Sequence, residues 1–270
     1  MVPRTPRHLR IRSMVLTLGG PLASALLGAI GALCLMLIPG PEWSAGIGRT
    51  VALATGFAFG DFLFNLMPFA SGAQYSDGAR LWQMYRQGPW SDFHCANHLM
   101  GLSLASPFRP RQWPRDMVLG AAEFAAKLPQ PAGSFAWAYV HFLDCGDWVK
   151  ALTWLEKARE ATRPGTKLAN ALTIDRAFIE AFYHRDGSEA QRLFAQAPAQ
   201  EDSTDYWRAL ASLRAVRGDL AGASQAWEKG WQIAQTRPAT GIYDMDRDQL
   251  RMVGAWLEEL RAPRPQPILA

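Results

Sequence analysis

The sequence predicts an all-α protein in which two transmembrane helices precede a domain of helical hairpins. Two apolar segments, residues 14–38 and 50–70, are each long enough to cross the roughly 30 Å hydrocarbon layer of a membrane. From residue 91 onward, apolar residues recur instead with the spacing of amphipathic helices. With 270 residues and 49% hydrophobic content, the chain is large enough for a membrane part and a separate helical domain.

The first apolar segment, residues 14–38, contains no charged residue and follows an arginine-rich start. A secretory signal peptide also begins with basic residues, but its apolar core spans only about 7–15 residues before a small-residue cleavage site. This segment is longer and is followed by Pro39-Gly40-Pro41, so a retained membrane helix is the better interpretation. Its small residues suit close packing against a second helix in lipid: Gly20, Ala23, Ser24, Gly28, Ala29 and Gly31.

The second apolar segment, residues 50–70, carries one carboxylate, Asp61, near its middle. A charge inside a membrane helix is costly, so it marks either a functional site or a group tolerated because a polar partner or a helix end lies nearby. Both interpretations stay open. Asn65 lies four residues later and shares a helix face with Asp61, and a polar face in lipid must look toward protein or water.

A loop is expected after this helix. Pro68 should end or kink the helix, because proline has no backbone N–H and clashes with the preceding turn. Gly72 and Gly78 give the following residues the freedom to turn back toward the polar face. Such a loop would bring the carboxylate of Asp77 back toward this polar face.

These residues resemble motifs of the site-2 protease family of intramembrane zinc metallopeptidases. Asn65-x-x-Pro68 followed by Asp77-Gly78 is similar to the third core membrane segment of that family, in which the aspartate is the third zinc ligand. Gly20-Pro21-x-x-Ser24 resembles the Gly-Pro-x-x-Asn of the preceding core segment, with serine in place of asparagine. The resemblance covers the first third of the chain and depends on the order and spacing of the motifs. It implies that Asp77 is a zinc ligand and that Asn65 and Pro68 shape the loop that positions it.

The two histidine ligands and the catalytic glutamate of that family, H-E-x-x-H, do not occur in this sequence. In the family, zinc keeps an open position for water and the glutamate acts as general base in peptide hydrolysis. A lone carboxylate does not hold zinc, so this chain by itself is expected to be inactive and to bind no cofactor. Two interpretations stay open: a metallopeptidase relative whose catalytic helix is truncated or lost, and a non-enzymatic, membrane-anchored scaffold.

The distribution of arginines predicts the orientation in the membrane. Four arginines precede the first span, Arg49 alone lies between the spans, and Arg80 and Arg86 follow the second. By the positive-inside rule both ends are cytoplasmic, and a bacterial inner membrane is the expected location. The net charge of the whole chain is +4, and the basic residues form no stripe, so nucleic acid is not an expected partner. Membrane lipid is the expected partner of residues 1–78. Three cysteines without a C-x-x-C favour a reducing compartment for the helical domain.

An internal self-similarity characterises the helical domain. The spacing of small and large residues places a packing stripe on the second helix of a hairpin, and the pattern is similar to divergent tetratricopeptide repeats. Such an array offers a concave face for a protein or peptide partner. The residues are Gly146-Asp147 with Ala151, Leu155 and Ala158; Gly218-Asp219 with Ala223, Trp227 and Gly230; a degraded copy, Ala190, Phe194 and Ala197; Phe135 and Trp207 at the start of first helices; and Pro164, Pro198 and Pro238 near repeat ends.

These observations divide the chain into a membrane segment at 1–78, a helical domain at 79–261 and a disordered, proline-rich tail at 262–270. His94 and His98 would share a helix face, as two zinc ligands do. No glutamate lies between them and no third ligand is close in sequence, so we interpret them as ordinary histidines.

Overall fold

The computed structural model describes residues 8–37, 46–71 and 74–262. This part of the chain is all-helical, with twelve α-helices and one minimal β-hairpin. The predicted turn at Pro39-Gly40-Pro41 and the proline-rich part of the tail lie outside the described residues. The chain divides into two compact units between His98 and Leu99. The first unit therefore extends beyond the predicted boundary at residue 78 and contains two further helices.

The first unit contains α1 (Leu9–Leu37), α2 (Gly46–Leu66), β1 (Ala70–Ser71), β2 (Gln74–Tyr75), α3 (Asp77–Arg86) and most of α4 (Pro89–Gly101). The second contains two 3₁₀ turns (Leu102–Leu104 and Pro110–Gln112), α5 (Arg115–Ala125), α6 (Ala132–Asp144), α7 (Trp148–Glu160), α8 (Lys167–Ile179), a π-helical turn (Glu180–His184), α9 (Gly187–Phe194), α10 (Thr204–Val216), α11 (Leu220–Thr236) and α12 (Gly241–Arg261).

Helices α1 and α2 are both long and apolar enough to cross a membrane. They contain 29 and 21 residues, which correspond to roughly 43 and 31 Å at the rise of an α-helix. Their large apolar side chains point outward: Leu16 is 62% exposed and Phe57 is 77% exposed. Small and hydroxyl residues such as Ser13, Thr17 and Gly48 lie on the buried stripes instead. A water-soluble helix shows the opposite arrangement, with its apolar stripe buried.

Both helices begin earlier than predicted. Helix α1 starts at Leu9 rather than at residue 14, because helical backbone extends beyond the apolar stretch that hydropathy detects. The prediction that α2 continues to Ala70 was wrong: the helix ends at Leu66. Pro68 explains the end, since proline restricts the residue before it and cannot donate to the helical ladder. Ala70 lies in β1, which pairs antiparallel with β2.

Glycines allow α1 and α2 to approach each other closely. A methyl group at Gly28 would lie 3.1 Å from ring carbons of Phe59, and one at Gly31 would collide with the hydroxyl of Thr55. Two of the small residues noted in the sequence therefore contact α2 directly. This is the packing that small residues provide between helices in lipid, where polar and van der Waals contacts replace the hydrophobic effect.

In the second unit, α6 with α7 and α10 with α11 form helical hairpins. Gly146 and Gly218 make the turns with φ of +79° and +84°, a region that glycine adopts without steric cost. The residue after each glycine, Asp147 or Asp219, accepts a hydrogen bond from a backbone N–H of the next helix. Each aspartate therefore caps a helix N-terminus, which explains the repeated Gly-Asp pairs.

The middle helical pair differs from the other two. Helix α8 ends in the π-helical turn Glu180–His184, and Arg185 follows with φ of +59° where the other pairs have glycine. Asp186 caps the short helix α9 by accepting hydrogen bonds from the N–H groups of Ser188 and Glu189. Because α9 ends at Phe194, the predicted stripe residue Ala197 lies beyond it.

The predicted packing stripe is buried where the helices are complete, except that Trp227 on α11 is only partly buried. Ala151, Leu155 and Ala158 are each 0% exposed on α7, and Ala223 and Gly230 are buried on α11. The three repeat prolines, Pro164, Pro198 and Pro238, all lie between helices. The second unit is thus built from successive helical pairs, and a tetratricopeptide arrangement of these pairs stays a prediction.

Candidate functional site

Ser76 joins the end of α2 to the start of α3. Its hydroxyl donates a hydrogen bond to the carbonyl of Met67 at 2.6 Å and accepts one from the N–H of Phe69 at 3.2 Å. The same oxygen accepts from the N–H of Ala79 at 3.2 Å, so Ser76 is the N-cap of α3. One side chain therefore fixes the Asn65-x-x-Pro68 segment against the Asp77-Gly78 pair.

Gly78 brings the two segments into direct backbone contact. A methyl group at this position would collide with the carbonyl oxygen of Leu66, the last residue of α2. Glycine is therefore required by the close approach of a helix end rather than by backbone freedom. A methyl group at Gly20 of α1 would lie 3.7 Å from Oδ2 of Asp77. The three motif segments noted in the sequence thus converge around the start of α3.

Asp77 is the first residue of α3, so the predicted loop ends one residue before it. Its side chain is 31% exposed and lies 4.0 Å from Arg80, a distance at which a partly solvated ion pair contributes little. In residues 8–37, 46–71 and 74–262, no group of three His, Cys, Asp or Glu side chains is placed to hold a metal ion. Asp77 can supply one carboxylate, and these residues do not complete a zinc site around it.

Asp61 bonds to one residue on each of the two long apolar helices. Ser24 on α1 donates to Asp61 Oδ2 at 2.6 Å, and Asn65 on α2 donates to Asp61 Oδ1 at 3.0 Å. The Asp61–Asn65 bond confirms that the two side chains share a helix face. Ser24 stands where the resembling family has asparagine, and here its hydroxyl links the helices. Each polar group of this cluster satisfies another, as lipid-embedded groups require.

His94 and His98 both lie on α4, and the described residues place no group of three His, Cys, Asp or Glu side chains there to hold a metal ion. Nε2 of His94 donates to Oε1 of Gln83 at 2.6 Å. Burial, then the positive charge of Arg80, lower the pKa of His94 to about 4, so the ring stays neutral at physiological pH. Burial likewise lowers the pKa of His98. The Nδ1 atom of His98 is buried without a hydrogen-bond partner.

The second unit contains a buried charged cluster that sequence reasoning missed. Arg208 on α10 is 2% exposed. Its guanidinium lies 2.7 Å from the carboxylate of Asp175 on α8, 3.1 Å from that of Asp205, and donates to Gln249 on α12. It also lies 4.3 Å from the centre of the Phe178 ring, within the range of a cation–π contact. Arg208 therefore connects three helices.

The carboxylates around Arg208 have strongly perturbed acidity. Burial, then the negative charge of Asp205, raise the pKa of Asp175 to about 7 and that of Asp246 to about 8. Perturbed groups of this kind cluster at functional sites, although structural ion networks produce them too. The spacing of the residues did carry a signal in the sequence. Arg208 shares one helix face with the small residues Ala211, Ser212 and Ala215, and the structure buries all four on α10.

A scan against protein-family models, a search of curated proteins and a search of solved structures each found no significant match to the chain. The contacts, burial and charge of the two sites are therefore the basis on which function is inferred.

Proposed function

We propose that residues 8–98 form the carboxylate-bearing part of a membrane site of the site-2 protease type, and that the helical unit after it binds a protein or peptide. The convergence of Gly20, the Asn65-x-x-Pro68 segment and Asp77-Gly78 at the start of α3 supports this most directly. These segments are separated by up to 58 positions in the sequence, and each carries residues that resemble motifs of that family.

In this proposal Asp77 is one ligand of a zinc ion whose histidine ligands and general base come from polypeptide outside this sequence. Bound zinc would supply a Lewis acid and an activated water for peptide hydrolysis. Ser76 and Gly78 hold the start of α3 against the end of α2, and so fix where the Asp77 carboxylate points. The residues of this chain therefore contribute positioning and one ligand, and no hydrolysis is expected from the chain alone.

Zinc content tests the assignment. The protein is isolated from its native membrane in mild detergent, together with any upstream sequence or polypeptide that accompanies it, and zinc per chain is measured. Asp77→Ala is expected to remove the metal. Asp92→Ala, which changes an exposed aspartate of the same unit, is the matched control and should keep it. Equal zinc in the wild type and in both variants contradicts the proposal.

A non-enzymatic membrane anchor is the second candidate, and the Ser24–Asp61–Asn65 cluster favours it. These side chains satisfy one another between the two helices, which is what a structural clamp requires. In this case no zinc accompanies the purified wild-type protein, and no H-E-x-x-H is found in frame upstream of Met1. In both candidate functions, the helical unit is the part of the chain that binds a partner.

We also propose that α1 and α2 cross a bacterial inner membrane with both ends in the cytoplasm. Cys145 is exposed in the helical unit, whereas Cys95 is buried and Cys34 lies in α1. In a variant that keeps only Cys145, a membrane-impermeant maleimide should label the protein after lysis and not in intact spheroplasts. Labelling of intact spheroplasts would place the helical unit outside.

A further inference from the structure

The helical unit contains a half-open cavity of about 360 Å³ beside Arg208. Its wall includes Tyr139 on α6, Asp175 on α8, Arg208 and Asp205 on α10, and Asp246 on α12. A volume of this size is at the lower end for ligand sites and accommodates a small molecule or one extended side chain.

Carboxylates outnumber their counter-ions in this cavity. Asp175 and Asp205 both bond to the single guanidinium of Arg208. Arg237, the other cation of the wall, donates instead to the backbone carbonyl of Asp202. The wall therefore carries an excess of negative charge whenever its aspartates are ionised.

Asp246 has no counter-ion of its own. It is 6% exposed, and its described hydrogen bond comes from the hydroxyl of Thr204 at 3.3 Å. No cationic group of residues 8–37, 46–71 and 74–262 forms an ion pair with it. An ionised carboxylate can accept about four hydrogen bonds, and a buried one is costly unless it is paired. Asp246 is thus a buried carboxyl group whose ionised form has no paired cation among the described residues.

The hydroxyl oxygen of Tyr139 is a second acceptor in the wall. The hydroxyl is buried and directs its proton to the carboxylate of Asp175, whose pKa this hydrogen bond lowers, and no described donor reaches its oxygen. Burial raises the pKa of the Tyr139 hydroxyl well above its usual range, so it keeps its proton and its oxygen remains an acceptor. A buried oxygen that accepts from no donor calls for an explanation, and a bound donor is one.

We propose that this cavity binds an alkylammonium or guanidinium group, with Asp246 as its counter-ion and the Tyr139 oxygen as a second acceptor. A cation there completes the charge balance of the wall and satisfies both unused acceptors. The source is either a small free amine or the side chain of a lysine or arginine in a partner. In the second case the inference deepens the proposed protein-binding role of the helical unit and rests on it.

Binding is expected to release protons and to strengthen as the pH rises. The titratable and charged side chains that line the pocket are Tyr139, Asp175, Asp202, Asp205, Arg208, Arg237, Tyr243 and Asp246. With pKa values of about 7 and about 8, Asp175 and Asp246 hold part of their protons at neutral pH. A bound cation favours the ionised carboxylates, so the protons leave when it enters.

Isothermal titration calorimetry of the full chain in detergent tests the proposal. The probes are 1,4-diaminobutane, agmatine and Nα-acetyl-lysine amide, whose side-chain ammonium is free. At least one probe should bind saturably with one equivalent per chain, and roughly tenfold more tightly at about pH 8.5 than at about pH 6. The heat should depend on the ionisation enthalpy of the buffer, because protons are released. If Nα-acetyl-lysine amide binds as tightly as the free amines, the natural ligand is assigned to a protein side chain. If only the free amines bind, the natural ligand is assigned to a small molecule.

Variants of similar shape separate binding from folding. Asp246→Asn should weaken binding roughly tenfold or more, because it removes the charge and keeps the volume. Tyr139→Phe should weaken it to a smaller extent. Asp244→Asn is the matched control, since Asp244 lies on the same helix, pairs with Arg247 and does not line the cavity. No saturable binding at about pH 8.5, or unchanged binding in folded Asp246→Asn, overturns the proposal and leaves the zinc measurement unaffected.

Discussion

Replacing Arg208 by methionine should strongly destabilise the helical unit. Methionine keeps the unbranched chain but removes the guanidinium, which leaves the carboxylate of Asp175, 14% exposed, without its cation at 2.7 Å. Breaking a buried ion pair on one side typically costs about 3–5 kcal/mol. For a unit of this size that corresponds to a fall in Tm of roughly 6–20 °C.

The assay is thermal unfolding of the full chain in detergent, followed by far-UV circular dichroism. Hydrogen exchange of peptides from α8 and α10 shows whether the lost stability lies in the second unit. Arg214→Met is the matched control on the same helix: its side chain is 40% exposed, lies 4.0 Å from Asp219 and donates a hydrogen bond to the carbonyl of Gly222. An exposed ion pair contributes only about 0–1 kcal/mol and a hydrogen bond about 0.5–1.5 kcal/mol, so a smaller loss is expected than in Arg208→Met.

Two further measurements test the physical cause. The loss in Arg208→Met should be smaller near pH 5 than near pH 8, because the unpaired carboxylate of Asp175 can then take up a proton. The double variant Arg208→Met/Asp175→Asn should recover part of the lost stability, since it removes the uncompensated charge. A Tm close to that of the wild type in Arg208→Met, or no recovery in the double variant, refutes the reasoning.

Three other predictions concern the two long apolar helices and the pH dependence. Gly78→Ala should lower the Tm or abolish folding of the first unit, because its methyl group meets the backbone of α2, whereas Gly60→Ala, which has open space around it, should not. Ser24→Ala should weaken the α1–α2 association by about 0.6–1.7 kcal/mol, measured by resistance to denaturing detergent, since it removes one hydrogen bond in lipid. The stability of the wild type relative to Asp175→Asn/Asp246→Asn should be greatest at low pH and decline as the pH rises from about 4 to about 8, because both carboxyl groups have raised pKa values in the folded state. Parallel stability curves for the two proteins across that range would contradict it.

The sequence predicted the helical class and both apolar helices, because hydropathy and helical periodicity are local properties. It misplaced the ends of those helices. The apolar stretch of α1 begins at Met14, but Arg10 and Arg12 continue the helix toward its start without interrupting the backbone ladder. At the end of α2, Pro68 was the local signal that the helix stops. The helix already ends at Leu66, two residues before this proline, because proline also restricts the residue that precedes it.

The candidate sites were predicted less completely. The motif residues near α3 were found, yet Ser76, which bonds to both segments, was missed because a serine before Asp-Gly looks like any loop residue. The cluster around Arg208 was missed for a different reason. Asp175 and Asp246 lie 33 residues before and 38 residues after it, and charges in amphipathic helices usually face solvent. Their proximity to Arg208 follows from how three helices pack, which no short motif encodes.

The π-helical turn at Glu180–His184 limits how one helical pair of this protein can be replaced by another. The turn adds a residue to one helical repeat, and a shift of one residue rotates everything after it by about 100°. A chimera that replaces the α8–α9 pair by a second copy of α6–α7 would therefore redirect the apolar face of the inserted helix. A chimera of this protein therefore has to keep residues 180–186 together with helices α8 and α9.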